Sequence, residues 1–290
     1  MNEKEISSLI RLLDDPDTEV FAHVEEKLAT LGPAVVTLLE NRWEQSFDAL
    51  EQNRIENLIY KIQFKQVEED LEQWIKGGYS DLLEGLLIIN RYQYPALDEQ
   101  KVKDQLQHLY EQIENHRSFE VEPADHVMLI NHILYEKLGF SGNTSNYHDP
   151  QNSFIGQVLE NRKGNPLLLA CIYLLVAQKM GLPIFGINLP KHFILAYASQ
   201  PGQLLMMSED VLFYINAFNG GQMIGRQDVI SYLKQLDLSL DDRYLLPCTN
   251  LDIITRVLHN LSTAYSNVGS EQKLKDIEYL LQIVRQGQGQ

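Results

Sequence analysis

An apolar run, PLLLACIYLLVA, is the sequence feature that most limits how this chain can fold. It extends from Pro166 to Ala177, and Gly181 follows a few residues later. Helices commonly end just before a glycine, so this spacing predicts a helix from about Pro166 to Met180. The run is too short to cross a bilayer. We therefore predict a long helix inside a globular protein.

The sequence periodicity changes after this helix. Apolar, β-branched and aromatic residues alternate or form short runs there, which is typical of antiparallel strands. The four predicted strands are PIFGINL, HFILAYA, LLMMSED and VLFYINAF, at 183–189, 192–198, 204–210 and 211–218. Asn219 to Gly221, NGG, predict a tight turn after the last strand. The fold class is therefore α+β, predominantly helical, with a small antiparallel sheet.

Both flanks of this region have helical periodicity. Near the N-terminus, two amphipathic segments are separated by DDPD, which resembles one HEAT-type repeat. The C-terminal segment has a break near Val268 to Ser270 and resembles one tetratricopeptide-type hairpin. We therefore predict three regions: a HEAT-like region at 1–78, a core at 79–238 and a tetratricopeptide-like hairpin at 239–290.

The charge of the chain limits the classes of partner. Against 24 Lys and Arg stand 40 Asp and Glu, which gives a net charge of −16. Binding along a phosphate backbone needs clustered cations, so we expect no nucleic-acid partner. MNEKEISSLI has no basic stretch followed by an apolar core, and two distant cysteines make no disulfide framework. We expect a cytoplasmic protein with no membrane partner.

Four segments carry a resemblance to a known family. They are RYQYPALD (91–98), LGFSGNTSNYHDPQNSFIGQVLENRKGNP (138–166), MGLPIFGINLPKHF (180–193) and INAFNGG (215–221). Together they resemble the SirB-type branch of the transglutaminase-like superfamily over about 155 residues. The resemblance implies a papain- or transglutaminase-like core, in which a helix packs on an antiparallel sheet.

The resemblance also implies where a catalytic triad would lie. Active members of the superfamily start the helix with Gly-x-Cys, and the glycine matches Gly164, which puts Pro166 in the position of the nucleophile. The family histidine matches His192, predicted on a strand. The acid matches Asn216, where asparagine can still orient a neutral imidazole. Because proline offers no nucleophile, the family triad is not preserved.

Two residues of this chain are alternative nucleophiles. Cys171 lies five residues after Pro166, about 140° around the helix, and its apolar neighbours indicate a buried structural thiol. Ser153 has no nucleophile elbow around it, and its neighbours indicate a helix N-cap. We therefore interpret both as structural, while Cys248 has no role predicted from the sequence.

A dense polar loop precedes the helix and predicts a cleft. Its candidate cleft or ligand-binding residues are Tyr147, His148, Asp149, Asn152, Ser153, Glu160 and Arg162. The loop is equally typical of a turn and helix cap, and Glu160 and Arg162 are expected to pair or brace it. His148, Asp149 and His192 do not have close metal-ligand spacing, so we expect neither a metal site nor another cofactor.

Two classes of function follow from these residues. The first hypothesis is a non-catalytic transglutaminase-like protein, a pseudo-enzyme, that binds a protein or peptide. The alternative is a hydrolase or acyl-transfer enzyme that uses His192 with Cys171 or Ser153. A second alternative is a small-ligand site, with Tyr147, Asn152 and His192 as polar contacts.

Overall fold

A computed structural model describes residues 3–118, 121–199, 208–237 and 242–287. The chain divides into two compact units. The first contains residues 1–73 and 91–95, and the second contains 74–90 and 96–290. The division into regions at 1–78, 79–238 and 239–290 stays a prediction.

Helices build the first unit. Its helices are α1 (Glu3–Arg11), α2 (Thr18–Ala29), α3 (Val36–Gln45) and most of α4 (Ala49–Lys76). The side chain of Asp17 caps α2 by accepting hydrogen bonds from the first-turn amides of Glu19 and Val20. The apolar faces of the four helices pack into one core of Ile10, Leu13, Val24, Leu28, Val35, Leu39, Ile55, Leu58 and Ile62.

The second unit contains the remaining helices. They are α5 (Leu82–Gln93, its last residues in the first unit), α6 (Glu99–Glu114), α7 (Pro123–Asn131), α8 (Ile155–Asn161), α9 (Pro166–Lys179), α10 (Arg226–Gln235), α11 (Asn250–Asn267) and α12 (Glu271–Gly287). Helix α7 passes directly into a π-helical turn at His132–Lys137. The sequence patterns above do not predict α10.

Helix α9 lies at the centre of the second unit. It is apolar on every side, and such a helix is stable in water only when it is covered all round. Accordingly it contacts α6, α8, α11 and the sheet. Its end follows the prediction, because Gly181 has φ of 70° and the Leu182 amide donates to the Ala177 carbonyl at 3.0 Å.

A four-stranded antiparallel sheet packs beside α9. Its order is β3 (Ile184–Ile187), β4 (Ile194–Ala198), β5 (Val211–Asn216) and β6 (Gln222–Ile224). A separate parallel pair, β1 (Ser141–Gly142) and β2 (Lys163–Gly164), joins the two ends of the polar loop region. The structure is therefore α+β and predominantly helical, which confirms the predicted fold class.

One predicted strand differs from the structure. Most of the segment 204–210 falls outside the described residues, and Ser208–Asp210 form a 3-10 turn instead of a strand. The strand that follows, β5, begins at Val211, as predicted.

The predicted tight turn joins β5 to β6. Gly220 and Gly221 both have positive φ, at 61° and 73°. The Asn131 side chain donates from Nδ2 to the Gly221 carbonyl at 2.8 Å. Helix α7 therefore holds this turn, and with it the end of β5, in place.

Candidate functional site

A cleft opens where the first turn of α9 meets the turn before β4 and one face of α11. Its cavity volume is about 140 Å³, enough for one amino-acid side chain. Four sequence-predicted loop residues line it together with Pro166 and His192; these four are Tyr147, His148, Asp149 and Ser153. Two of the three residues matched to the family triad and four of the seven polar-loop candidates therefore line one cleft.

Pro166 is the first residue of α9 and lies in the cleft wall. Proline is well suited to this position, because its missing N–H is one that a helix leaves unpaired. The preceding residue, Asn165, caps the helix: its Oδ1 accepts from the Leu168 amide at 2.9 Å. Its Nδ2 donates to Ser153 Oγ, also at 2.9 Å. A carbon ring therefore occupies the position matched to the nucleophile, in a well-capped helix start.

His192 also lines the cleft, and the structure brings the Asn216 side chain into hydrogen-bond contact with it. Asn216 is the last residue of β5, whereas His192 precedes β4 by two residues, so the prediction of His192 on a strand is wrong. A turn closed by the His192 amide on the Leu189 carbonyl, at 3.2 Å, separates it from β3. Burial lowers the pKa of His192. A hydrogen bond with the Asn216 side chain raises this pKa, and the positive charge of Arg256 lowers it. The imidazole is therefore neutral at pH 7.

Three polar residues of α11, none of them predicted from the sequence, complete the cleft together with Ala264. Arg256, Asn260 and Thr263 follow one another at helical spacing, so they lie on one face. Arg256 Nη1 donates to Asn188 Oδ1 at 3.0 Å and to the Leu189 carbonyl at 3.2 Å. The sequence carries little signal for them, because polar residues at helical spacing are ordinary on one face of an amphipathic helix.

The polar loop is organised by two of its own side chains. Asp149 accepts from the Gln151 amide at 2.9 Å and caps a 3-10 turn at Pro150–Ser153. Asn152 is buried and donates to the carbonyls of Asn146 and Tyr147, at 2.7 and 3.2 Å. Asn152 therefore supports the loop from beneath and lines a separate polar depression.

The predicted role of Ser153 as an N-cap is wrong. Helix α8 begins after Phe154 without a side-chain cap. Asp149 caps the 3-10 turn that precedes α8, and Asn165 caps α9, which follows it. Ser153 is 4% exposed and its hydroxyl accepts the hydrogen bond from Asn165. It thus links the loop to the start of α9.

Glu160 and Arg162 lie apart from the cleft, and the expected pair between them is not formed. Glu160 is exposed and lies 3.4 Å from Lys101 Nζ. Arg162 has φ of 56° and donates from Nη1 to the Leu138 carbonyl at 2.8 Å. Exposed ion pairs such as the first stabilise little. The guanidinium of Arg162 instead fastens the chain where α8 ends.

Both thiols lie away from the cleft lining. Cys171 is 0% exposed, and burial raises the pKa of its thiol well above the ordinary range. Burial also raises the pKa of Cys248 to about 12. The prediction that Cys171 is a buried residue is confirmed, and neither thiol forms an appreciable fraction of thiolate at pH 7.

We expect iodoacetamide to label Cys171 only when the protein unfolds, at every pH from 5 to 9. The reason is that the reagent needs both access and a thiolate, and burial removes both. Peptide mass spectrometry of the time course measures the rate, with protein in denaturant as the positive control. Rapid labelling of Cys171 in folded protein below pH 7 would contradict the buried assignment.

The described residues lack two other kinds of feature. Within them, no three His, Cys, Asp or Glu side chains come together as metal ligands. In the same part of the chain, no helix is long and apolar enough to cross a membrane.

The sequence of the chain matches one known protein family. A family model described as transglutaminase-like superfamily matches residues 100–259, more than half of the chain. The chain belongs to the transglutaminase-like superfamily. The matched region includes the start of α11 and therefore Arg256.

Individual relatives are also similar to the chain. It is 32% identical to a UPF0162 protein of Xylella fastidiosa (strain 9a5c) over 196 residues, which are 64% of this chain and 65% of the relative. It is 29% identical to a UPF0162 protein of Vibrio cholerae serotype O1 over 187 residues, 63% of this chain and 66% of the relative. The chain thus spans less than two thirds of the length of these relatives.

A longer relative is more distant. Mouse F-box only protein 21 is 26% identical over 191 residues, which are 58% of this chain but only 30% of that protein. No solved structure matches the chain significantly.

Proposed function

We propose that this protein is a non-catalytic member of the superfamily, a pseudo-enzyme whose cleft binds a protein or peptide. The observation that carries the proposal is Pro166, which puts a carbon ring in the cleft wall at the position of the family nucleophile. His192 lines the same cleft and is hydrogen-bonded to the Asn216 side chain. An imidazole without a nucleophile to activate is left as a polar group for binding.

The size and composition of the cleft support a peptide ligand. The cavity admits one side chain, and Tyr147, 45% exposed, offers an aromatic ring at its rim. Aromatic side chains such as tyrosine are enriched where proteins bind other proteins. We further propose the SirB-type branch for the core and HEAT-like and tetratricopeptide-like character for the flanks, since such helical repeats commonly form binding surfaces.

A hydrolase that uses Ser153 is the competing function. In its favour, Ser153 and His192 line the same cleft. Against it, the hydroxyl of Ser153 is almost wholly buried and already accepts a hydrogen bond from Asn165. A nucleophile that needs its lone pair for attack is weakened by such a bond.

We expect the protein to hydrolyse p-nitrophenyl acetate, and to transfer an acyl group to an amine, no faster than its His192→Ala variant. The physical reason is that the cleft presents no activated nucleophile beside His192. Initial rates of the wild type, His192→Ala and Ser153→Ala measure this directly. His23→Ala, at an exposed position in the first unit, is the matched control for background catalysis by a surface imidazole.

Equal rates for all four proteins support the binding function. Loss of turnover in both His192→Ala and Ser153→Ala, with His23→Ala unchanged, would overturn it in favour of the hydrolase. Failure of the folded protein to retain any member of a random peptide pool would also overturn it.

A further inference from the structure

We propose that the cleft binds a carboxylate group of its peptide ligand, with Arg256 as the principal contact and Lys191 and His192 beside it. This inference rests on the proposed binding function and names the chemistry of the ligand. The observation that supports it is the set of partners of the Arg256 guanidinium, which are neutral groups and not the carboxylate of an ordinary ion pair.

Arg256 is half-buried but has only neutral partners. Its Nη1 donates to Asn188 Oδ1 and to the Leu189 carbonyl. Within the described residues, no carboxylate pairs with it and no acceptor is paired with Nε or Nη2. Removing a guanidinium from water without an anion is costly, and burial accordingly lowers the pKa of Arg256. A ligand anion would supply the missing partner.

The geometry of an arginine head group favours a carboxylate over other acceptors. The guanidinium is a planar fork with five N–H donors, and two of them on different nitrogens match the two oxygens of one carboxylate. The hydrogen bonds of Nη1 fix the orientation of the fork before a ligand arrives. Such preorganisation reduces the entropy that binding must overcome.

Lys191 adds a second cation at the rim of the cleft. It is exposed and has φ of 61°, a conformation that side chains other than glycine adopt only when the surroundings hold them there. The Tyr232 hydroxyl holds this turn by donating to the Pro190 carbonyl at 2.9 Å. Strained residues of this kind cluster at binding sites.

The local charge is opposite in sign to that of the whole chain. Arg256 and Lys191 contribute two positive charges to the lining and Asp149 contributes one negative charge, so the lining is net positive. Asp149 is also committed to its helix cap. In a chain with a net charge of −16, this excess marks the cleft as a site for an anion.

Asn260 and Thr263 extend the same face of α11 beyond Arg256. The Asn260 amide can donate to and accept from a peptide backbone, whereas the Thr263 hydroxyl donates to the His259 carbonyl at 3.0 Å and is left as an acceptor. A carboxylate at Arg256 would therefore lie at one end of a polar track suited to an extended peptide.

The inference is tested with two matched peptide pools captured on the immobilised full chain. The pools share their random sequences. One has free C-terminal carboxylates, and its match has C-terminal carboxamides. Each of the two is also made in a second version, in which Asn and Gln replace Asp and Glu. Mass spectrometry identifies the retained members. Preference for free C-termini assigns the α-carboxylate, and preference for Asp and Glu assigns a side-chain carboxylate.

We expect carboxylate-bearing peptides to bind the wild type about tenfold or more tightly than their neutral matches, and Arg256→Gln to remove that difference. Arg285→Gln, an exposed arginine on the other helix of the same hairpin, is the control and should leave the difference intact. Arg256→Lys keeps the charge without the fork, so it should weaken carboxylate binding even if Arg256→Gln fails to fold.

Equal retention of acidic and neutral peptides by the wild type, with no change in the Arg256→Gln variant, would overturn the carboxylate assignment. The proposed peptide binding would still stand. Retention of no peptide from either pool would overturn the proposed function itself, and the carboxylate assignment with it.

Discussion

A cysteine placed at position 166 is expected to react with iodoacetamide about tenfold or more faster at pH 7 than a cysteine placed at position 178 of the same helix. Pro166 is the first residue of α9 and lies in the cleft wall. The unpaired amides of a helix N-terminus and its dipole stabilise a thiolate. The charge of Arg256 across the cleft acts in the same direction. Pro166→Cys therefore gains a reactive thiol in an environment already suited to one.

The fold should tolerate this substitution, because position N1 of a helix favours proline without requiring it. The variant is best made in a Cys171→Ala background, so that one thiol fewer contributes to the signal. Gln178→Cys is the matched control, since it is exposed in the last turn of the same helix, where the dipole opposes a thiolate. The pH dependence of labelling measures the apparent pKa of each introduced thiol.

A lower apparent pKa at position 166 than at position 178 supports the assignment of Pro166 to the nucleophile position. Equal values would mean that this cleft does not stabilise a thiolate. In that case the alignment of Gly164 and Pro166 with the family motif would be wrong.

Replacing Gly221 by alanine is expected to destabilise the protein by about 3 kcal/mol or more. The added Cβ would lie 1.8 Å from Asn131 Oδ1, and φ at this position is 73°. Relief of the overlap requires Asn131 to move, which breaks its hydrogen bond to the Gly221 carbonyl. Urea unfolding followed by circular dichroism measures the change in the free energy of unfolding.

Gly220→Ala separates the two contributions. Gly220 has a similar φ of 61°, but nothing lies within 4 Å of an added Cβ. Gly220→Ala should therefore lower the free energy of unfolding by only about 1 kcal/mol, which is the cost of a left-handed backbone conformation for a residue with a Cβ. If the two variants were equally stable, the contact between α7 and the β5–β6 turn would be absent from the folded protein. The same contact holds Asn216, and so Gly221→Ala is also expected to disturb His192.

The parts of the fold that follow from local chemistry were predictable. The start of α9 at Pro166 and its end before Gly181 depend on backbone preferences that neighbouring residues alone determine. The NGG turn follows for the same reason, since Gly220 and Gly221 both need positive φ. Burial of Cys171 follows from a helix that is apolar on all sides.

The predictions that failed depend on contacts distant in sequence or on competition between local signals. His192 belongs to an apolar run that predicts a strand, but the turn at Pro190 and Lys191 delays the strand to Ile194. Serine is a residue type that commonly caps helices, but the hydroxyl of Ser153 instead accepts a hydrogen bond from the side chain of Asn165, 12 residues later. Glu160 and Arg162 are close in sequence, yet the left-handed conformation of Arg162 turns its side chain towards Leu138.

Arg256 was missed for a different reason. Its helix has an apolar face that packs into the second unit, and an isolated arginine on the remaining face is ordinary in any amphipathic helix. Only the docking of α11 beside the start of α9 brings its guanidinium to His192. No local pattern encodes that docking.

Because α11 supplies one wall of the cleft, filling the cleft and holding the C-terminal hairpin in place are linked equilibria. A ligand that binds only the docked arrangement, present at 100 times its dissociation constant, adds about 2.7 kcal/mol to the free energy of detaching the hairpin. By the same linkage, anything that draws α11 and α12 away expels the ligand. A bound ligand and the packing of α11 would therefore stabilise each other.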